Sequence, residues 1–260
     1  MADSVDLLRP ADLDDADARA WSALQSTHAG FSNPLLSPQF ARAVGAVRAD
    51  ARVAIWRQNG LAAGFLAFHP RPDGLARPVG APFSDMQGVV SCPRARLEPG
   101  RLLAEAGVRA LKVGGLVDPY GLLAKGPQVE AVSGRIVLGE DAVDYLQRVR
   151  RESRNGAKNH RRYAQKLARE VGEVHILAPD RSREALEGLL AWKSAQLRQS
   201  GLHDYLAAGW TRALMHLLFE TRQDGFEGLL ISLMAGERRV AGQFGVRLNG
   251  HYHPWIAPGL

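Results

Sequence analysis

Apolar positions along the chain alternate between two rhythms, one of period two and one of three to four residues. Val5 to Leu8 is a short apolar run that predicts a strand. Leu13, Ala16, Ala20 and Leu24 then recur at helical spacing, predicting a helix over 12–25 with Asp12 as its N-cap. Ser37 followed by Pro38 predicts a second helix to Val47, with serine at the cap and proline at the first helical position. Arg52–Trp56 and Ala63–Phe68 flank Asn59-Gly60, a strong hairpin turn signal. The stretch 70–82, rich in proline and glycine, predicts a loop. Strands are expected at Ser84–Val90 and Leu111–Val117, with a short helix at Arg101–Ala106 between them.

After a linker placed at 118–133, a similar order returns. A strand is expected at Arg135–Leu138 and a helix at Asp141–Arg150, followed by a basic helical stretch from Ser153 to Val171. Glu173–Leu177 predicts a strand, and Arg181–Ser200 and Tyr205–Thr221 two helices. Gly228–Met234 and Val240–Leu248 predict a hairpin around Gly236-Glu237, and His251–Ile256 a third strand.

The return is visible in residues as well as in rhythm. Ala63-Gly64-Phe65 is echoed by Ala241-Gly242-Gln243-Phe244, and Pro99-Gly100-Arg101-Leu102 by Pro258-Gly259-Leu260. Each match is short; their common order predicts an internal duplication. The expected fold class is α/β (α+β), with mixed sheets flanked by helices and a boundary between residues 132 and 133. The second run stops at Leu260, where the first continues into a helix and a strand. His251–Ile256 would then be an open sheet edge, so the second half is expected to be incomplete in this chain.

Composition narrows the function classes. The hydrophobic share is 46%, enough to build a buried core at this length. The single cysteine, Cys92, excludes an internal disulfide and a cysteine-built metal centre. The N-terminal residues lack a basic segment leading into an apolar one, and no apolar run approaches the roughly 20 residues of a spanning helix. A reducing cytoplasm is therefore the expected compartment. The net charge of +6 points to an anionic partner, which a nucleotide-bearing substrate, a nucleic acid or an anionic surface would each satisfy.

At this stage the chain resembles a known family. The order helix, helix, hairpin, third strand and glycine-containing turn is similar to that of GNAT acetyltransferases. The tandem arrangement resembles the CelD-like (cellulose-biosynthesis) acetyltransferases, distant relatives of the FemABX aminoacyltransferases. The resemblance rests on Asn33–Phe40, Gly80–Gly88, Trp192-Lys193-Ser194-Ala195-Gln196 and Trp255–Gly259. It implies two GNAT-like halves, 1–132 and 133–260, and acyl transfer from acetyl-CoA or another acyl-CoA to an amine or hydroxyl, in polysaccharide biosynthesis. Two departures stand out: Met86 occupies a position usually aromatic in the family, and the segment expected after Pro258-Gly259 to complete the acyl-CoA site is absent.

The candidate chemistry follows. In a GNAT-type site the third strand offers backbone groups to pantetheine, and the next helix N-terminus binds the pyrophosphate. That places His253, Trp255 and Gly259 at the acyl-CoA. Asp85 is a candidate to accept the acceptor's proton, and Gln87, two residues on, is expected on the same face. Lys193 falls within the stripe Leu186, Leu189, Leu190 and Leu197, where an ammonium needs a carboxylate such as Asp85 or Asp204, or a polar cleft. Trp192, Gln196 and Gln243 complete the candidate acceptor contacts. Against these stand plainer structural readings: a turn aspartate, a snorkelling lysine and core tryptophans.

His251 and His253 share one face of a strand, but no neighbouring carboxylate or third histidine completes a metal set in sequence, and no metal is expected. Arg154, Lys158, Arg162 and Lys166 form one charged stripe within a basic stretch spanning 148–169, expected to meet solvent or an anionic ligand. Two other readings keep the fold and change the function. One is a transferase using aminoacyl-tRNA, with the basic helix on the RNA; the other is a binding or scaffold protein without catalysis.

Overall fold

The computed structural model describes residues 3–93, 95, 98–123, 129, 133–139 and 141–257, with the backbone alone at residues 99, 142, 154 and 157. Eleven strands and seven α-helices are found among these residues. The first sheet has six strands. β1 (Ser4–Leu8), β2 (Arg52–Gln58), β3 (Leu61–Pro70), β4 (Leu75–Pro78) and β6 (Ala110–Leu111) lie side by side, and β5 (Val90–Ser91) also pairs with β3. The β4–β6 pair is parallel and the other pairs are antiparallel. α1 (Asp15–Gln25) and α2 (Pro38–Val47) cover one face of this sheet, and α3 (Pro99–Glu105) contributes Leu102 to a second core on the other.

The second sheet runs β11 (His251–Ile256), β10 (Arg238–Leu248), β9 (Phe226–Ala235) and β7 (Val174–Leu177), with the short β8 (Arg222–Gln223) also on β9. All its pairs are antiparallel. α6 (Arg183–Gln199) and α7 (Gly209–Glu220) pack on it, and α4 (Ala142–Glu152) and α5 (Arg154–Glu170) precede it.

Local chemistry explains most element boundaries. Ser37 caps α2 by accepting the Phe40 N–H at 3.1 Å, with Pro38 at the first helical position. Asn59 and Gly60 take φ of 52° and 83°, the left-handed pair that a two-residue hairpin needs. Asn249 and Gly250 repeat that geometry between β10 and β11, with φ of 46° and 82°.

Four sequence expectations are corrected. The cap of α1 is Asp14, whose Oδ1 accepts the Asp17 N–H at 2.7 Å, because residues 10–12 form a separate 3-10 turn opened by Pro10. The stretch 70–82 holds β4, whose alternating burial lets Ala76 and Pro78 face inward. Between Ser84 and Val90 the chain is mostly irregular, with Gln87 bridging Leu116 and pairing with β3 beginning only at Val90. Residues 135–138 form no strand: Ile136, Val137 and Leu138 are exposed.

The two sheets share a core. One contiguous cluster contains Phe40, Phe65 and Phe83 from the first half and Leu189, Phe244 and Ile256 from the second. At the seam Phe83 packs against Tyr205 (5.2 Å between ring centroids), Trp255 (5.6 Å) and Trp210 (6.4 Å). The Arg48 guanidinium lies 4.8 Å over the Trp210 ring. Among these residues the seam is therefore largely apolar, with polar side chains at its margin.

Candidate active site

Asp85 sits on that margin, on the irregular segment that follows Phe83. The backbone on either side is held by residues 115–117, which form one isolated bridge in place of the strand expected over Leu111–Val117: Gln87 N–H donates to Gly115 O at 2.9 Å and Val117 N–H to Gln87 O at 2.8 Å. The approach is close enough that a Cβ on Gly88 would lie 2.0 Å from Val117 O. Gln87 itself turns inward, 2% exposed, and its Nε2 donates to Ala67 O on β3. Asp85 turns the other way, with its side chain 67% exposed. The two residues expected on one face thus separate, one in the core and one at the surface.

The partner of Asp85 comes from the far end of the sequence. His253 of β11 places Nε2 at 3.1 Å from Asp85 Oδ1, with its own side chain only 14% exposed. This N–H beside it holds the Asp85 carboxyl below the ordinary carboxylate range, and burial opposes the shift without cancelling it. The other ring nitrogen, Nδ1, lies 3.1 Å from Asn33 Nδ2. The orientation of the Asn33 amide follows from the backbone, since its Oδ1 accepts the Leu35 N–H at 2.9 Å and caps the 3-10 turn 34–36. The NH₂ must then face His253, with Met86 Sδ also 3.0 Å away. Nδ1 is therefore the acceptor, and Nε2 carries the proton donated to Asp85. Asn33 was singled out in sequence only as part of a motif; the Asn-Pro helix-opening signal marks its cap, but no sequence signal marks its reach to His253.

Trp255, two residues along β11, packs its ring 5.6 Å from Phe40 and 5.6 Å from Phe83. Its Nε1 is buried without a hydrogen-bond partner among the described residues. Its side chain belongs to the seam, which leaves the β11 backbone as the surface available to a ligand. Among the described residues β11 pairs with β10 alone, so its other edge carries no strand partner. Phe244 pairs with Ile256 and Gly245 with Pro254, so Trp255 is the extra residue of a bulge in β11, and a Cβ on Gly245 would lie 2.1 Å from His253 O. These features suit a strand that receives an extended ligand such as pantetheine along its free edge. Gly259 lies outside the described residues.

Lys193 sits differently from expectation. Ser194, rather than Lys193, occupies the buried stripe of α6 with Leu186, Leu189, Leu190 and Leu197. The Lys193 ammonium is half-buried and donates to Gln196 Oε1 at 3.0 Å. The carboxylates proposed for it are otherwise engaged. Asp85 bonds His253, while Asp204 accepts from the Ser194 hydroxyl and, at 2.9 Å, from Arg198. Trp192 and Gln243 are half-buried. The structure thus brings together Asp85, His253 and Asn33, with Trp255 alongside, and leaves Lys193 with Gln196 on a separate helix face.

A cavity of about 820 Å³ opens between α1, α2 and the turns at Gln223–Asp224 and Leu248–Asn249. Its wall is largely hydrogen-bonding: Ser22, Gln25, Ser32, Gln39, Gln223 and Asn249 all contribute, with Arg19 and Asp15 at opposite charge. Neither Asp85 nor His253 lines it. Ser32, beside Asn33, and His251, two residues before His253, do line it. Among the described residues, no cluster of three or more His, Cys, Asp or Glu side chains is placed to hold a metal ion, and no helix is long and apolar enough to cross a membrane.

Comparison with known proteins bears on the half that carries β11. Residues 154–257 match the family described as acetyltransferase (GNAT) domain. No curated protein matches the chain. A solved ribosomal-protein-alanine N-acetyltransferase from Brucella melitensis biovar Abortus 2308 is similar at 17% identity, over 52% of this chain and 100% of its own, with a TM-score of 0.29. That likeness is too loose to carry functional detail. His253, β11 and the α6–α7 pair all fall inside the segment that is similar to the acetyltransferase (GNAT) domain, a similarity that supports an acyltransferase.

Proposed function

We propose that the protein transfers an acyl group from acetyl-CoA or a related acyl-CoA to a hydroxyl or amine on a small, hydroxyl-rich acceptor. The observation that carries this reading is the Asp85–His253 hydrogen bond, which sets an exposed carboxylate beside the open edge strand of the acetyltransferase domain. The donor lies along β11, and the acceptor enters from the cavity, whose wall carries amide and hydroxyl side chains beside the charged Asp15, Arg19, Arg42 and Asp224. A sugar unit, as in polysaccharide precursors, matches that lining.

The acceptor nitrogen or oxygen attacks the thioester carbonyl. A C–N or C–O bond forms, the C–S bond breaks, and CoA leaves as thiolate and takes up a proton. Because His253 holds the Asp85 carboxyl low, Asp85 is a weak base. Its role is to orient the acceptor through its free oxygen and to balance the positive charge that grows on the attacking atom. His253, locked as a donor by Asn33, fixes the Asp85 rotamer.

Two wider assignments accompany this reading. Both sheets order their elements as strand, helix, helix and an antiparallel pair of strands, which supports two GNAT-like halves at 1–132 and 133–260. The cytoplasm, where acyl-CoA is made and Cys92 stays a free thiol, is the proposed compartment.

Isothermal calorimetry with acetyl-CoA and CoA, and thiol-release assays across amines, amino sugars and polyols, test the reading. We expect donor binding, and turnover that falls about 100-fold in Asp85→Asn, from lost electrostatic stabilisation, with donor affinity unchanged. Absence of donor binding at millimolar concentration sinks it.

A further inference from the structure

The α4–α5 arm supplies no described residue to the shared core, and although α5 falls inside the matched segment 154–257, the Asp85, His253 and Asn33 cluster lies on other elements. Its main packing is of α4 on α5 and of α5 on β7. Along α5 the described side chains are exposed almost throughout, Gly156 and Leu167 alone being half-buried. Helical spacing sorts them into two faces. Lys158, Arg161, Arg162, Lys166 and Arg169 share one; Tyr163, Ala164, Leu167 and Ala168 share the other. Among the described residues, only Lys166 of these has an ion-pair partner, Glu170 at 3.9 Å.

Exposed apolar side chains continue beyond α5. Val143 and Leu146 on α4 are 58% and 50% exposed, and Tyr163 is 58% exposed. Ile136, Val137 and Leu138 are exposed just before α4. Of the fifteen large hydrophobics exposed among the described residues, eight lie between Val129 and Val171. The concentration is local, which separates it from the scattered exposed leucines of any surface.

We infer that this arm docks the protein on an anionic lipid surface, lying in the headgroup plane with Val143, Leu146 and Tyr163 turned toward the acyl chains and the α5 cations among the phosphates. Cations alone would serve a nucleic acid equally well. Exposed valine and leucine beside them gain nothing from a phosphodiester backbone and gain directly from hydrocarbon. The partner is defined by both faces together: negative headgroups over an apolar interior.

Vesicle co-sedimentation of the whole chain tests this, using phosphatidylcholine vesicles with and without 30% phosphatidylglycerol. Binding is expected to the anionic vesicles only. The charge-neutral pair Val143→Ser/Leu146→Ser should weaken it roughly tenfold. Lys158→Glu/Arg162→Glu should weaken it at least as much, and more at low salt than at high. Circular dichroism and thermal melting should remain as in the parent, since neither pair touches the shared core. Failure to bind anionic vesicles overturns the proposal. So does vesicle binding indifferent to the serine pair, which would mean a purely electrostatic contact. Tighter binding to a duplex RNA, unaffected by the serine pair, would assign the arm to nucleic acid instead. Concentration-dependent dimerisation abolished by the serine pair, seen by sedimentation without lipid, would assign the apolar side to a second copy.

Discussion

Asn33 and His253 stand 220 positions apart in the chain and meet at 3.1 Å, and the cap that Asn33 makes to Leu35 decides which of its amide atoms faces the imidazole. A helix-cap bond in one half thereby sets the tautomer of a side chain in the other, and so which ring nitrogen donates to Asp85.

The first prediction follows directly. Nitrogen-15 NMR of the imidazole should show His253 as the Nε2–H form in the parent at neutral pH. In Asn33→Ala the Nδ1 acceptor loses its donor, and a mixture of tautomers should appear. Turnover should fall roughly tenfold with little change in donor affinity, because the Asp85 rotamer loosens and β11 stays in place. An unchanged tautomer would separate Asn33 from the pair.

The seam supplies the second. Phe83 is 5% exposed among Tyr205, Trp210 and Trp255. Phe83→Ala should cost about 3–5 kcal/mol through lost burial and the cavity left behind. Calorimetry should show a single transition in the parent, because one core serves both sheets. Two separated transitions in the parent would contradict that.

Gly245 offers a sharper test of β11. A methyl there would press against the His253 carbonyl at 2.1 Å. Gly245→Ala should lower stability by about 1–3 kcal/mol, read from urea denaturation, and weaken acetyl-CoA binding more than it changes the acceptor's KM. Equal effects on both substrates would argue against β11 as the donor strand.

Asp180 predicts a pH dependence. It is 5% exposed; its Oδ2 accepts from Ser232 Oγ at 2.6 Å and from Arg239 at 3.2 Å, and its Oδ1 accepts the Ser182 N–H at 2.9 Å. Burial alone would raise its carboxyl, but the Ser232, Ser182 and Arg239 donors outweigh it and hold the group below the usual 3.8. A depressed carboxyl contributes stability that is fully present above 3.8 and lost as pH falls through its lowered value. Asp180→Ala should therefore cost roughly 3 kcal/mol at neutral pH. The gap between variant and parent in urea midpoint should narrow steadily below about pH 4. A gap that stays constant would remove the ionised carboxylate as its source.

Much of the fold was legible along the chain because it rests on neighbours in sequence. Ser37-Pro38 opens α2 by a bond spanning three residues, and Asn59-Gly60 reverses the chain because those two residues accept positive φ. The periodicity of α6 marked its buried side, since side chains three and four residues apart share a helix face whatever they pack against. Asp85 and His253 each drew notice as residue types. Their pairing was beyond sequence reach, as was the role of Asn33, because all three arrive from elements whose relative placement depends on how the two sheets share one core. The same limit misplaced Lys193: periodicity put it on the Leu186–Leu197 stripe, while the packing of α6 turned Ser194 inward and left the ammonium to Gln196. Local spacing thus determined the elements and their turns. Only tertiary packing, which brings residues hundreds of positions apart to hydrogen-bond distance, decided which side chains meet at the margin of the seam.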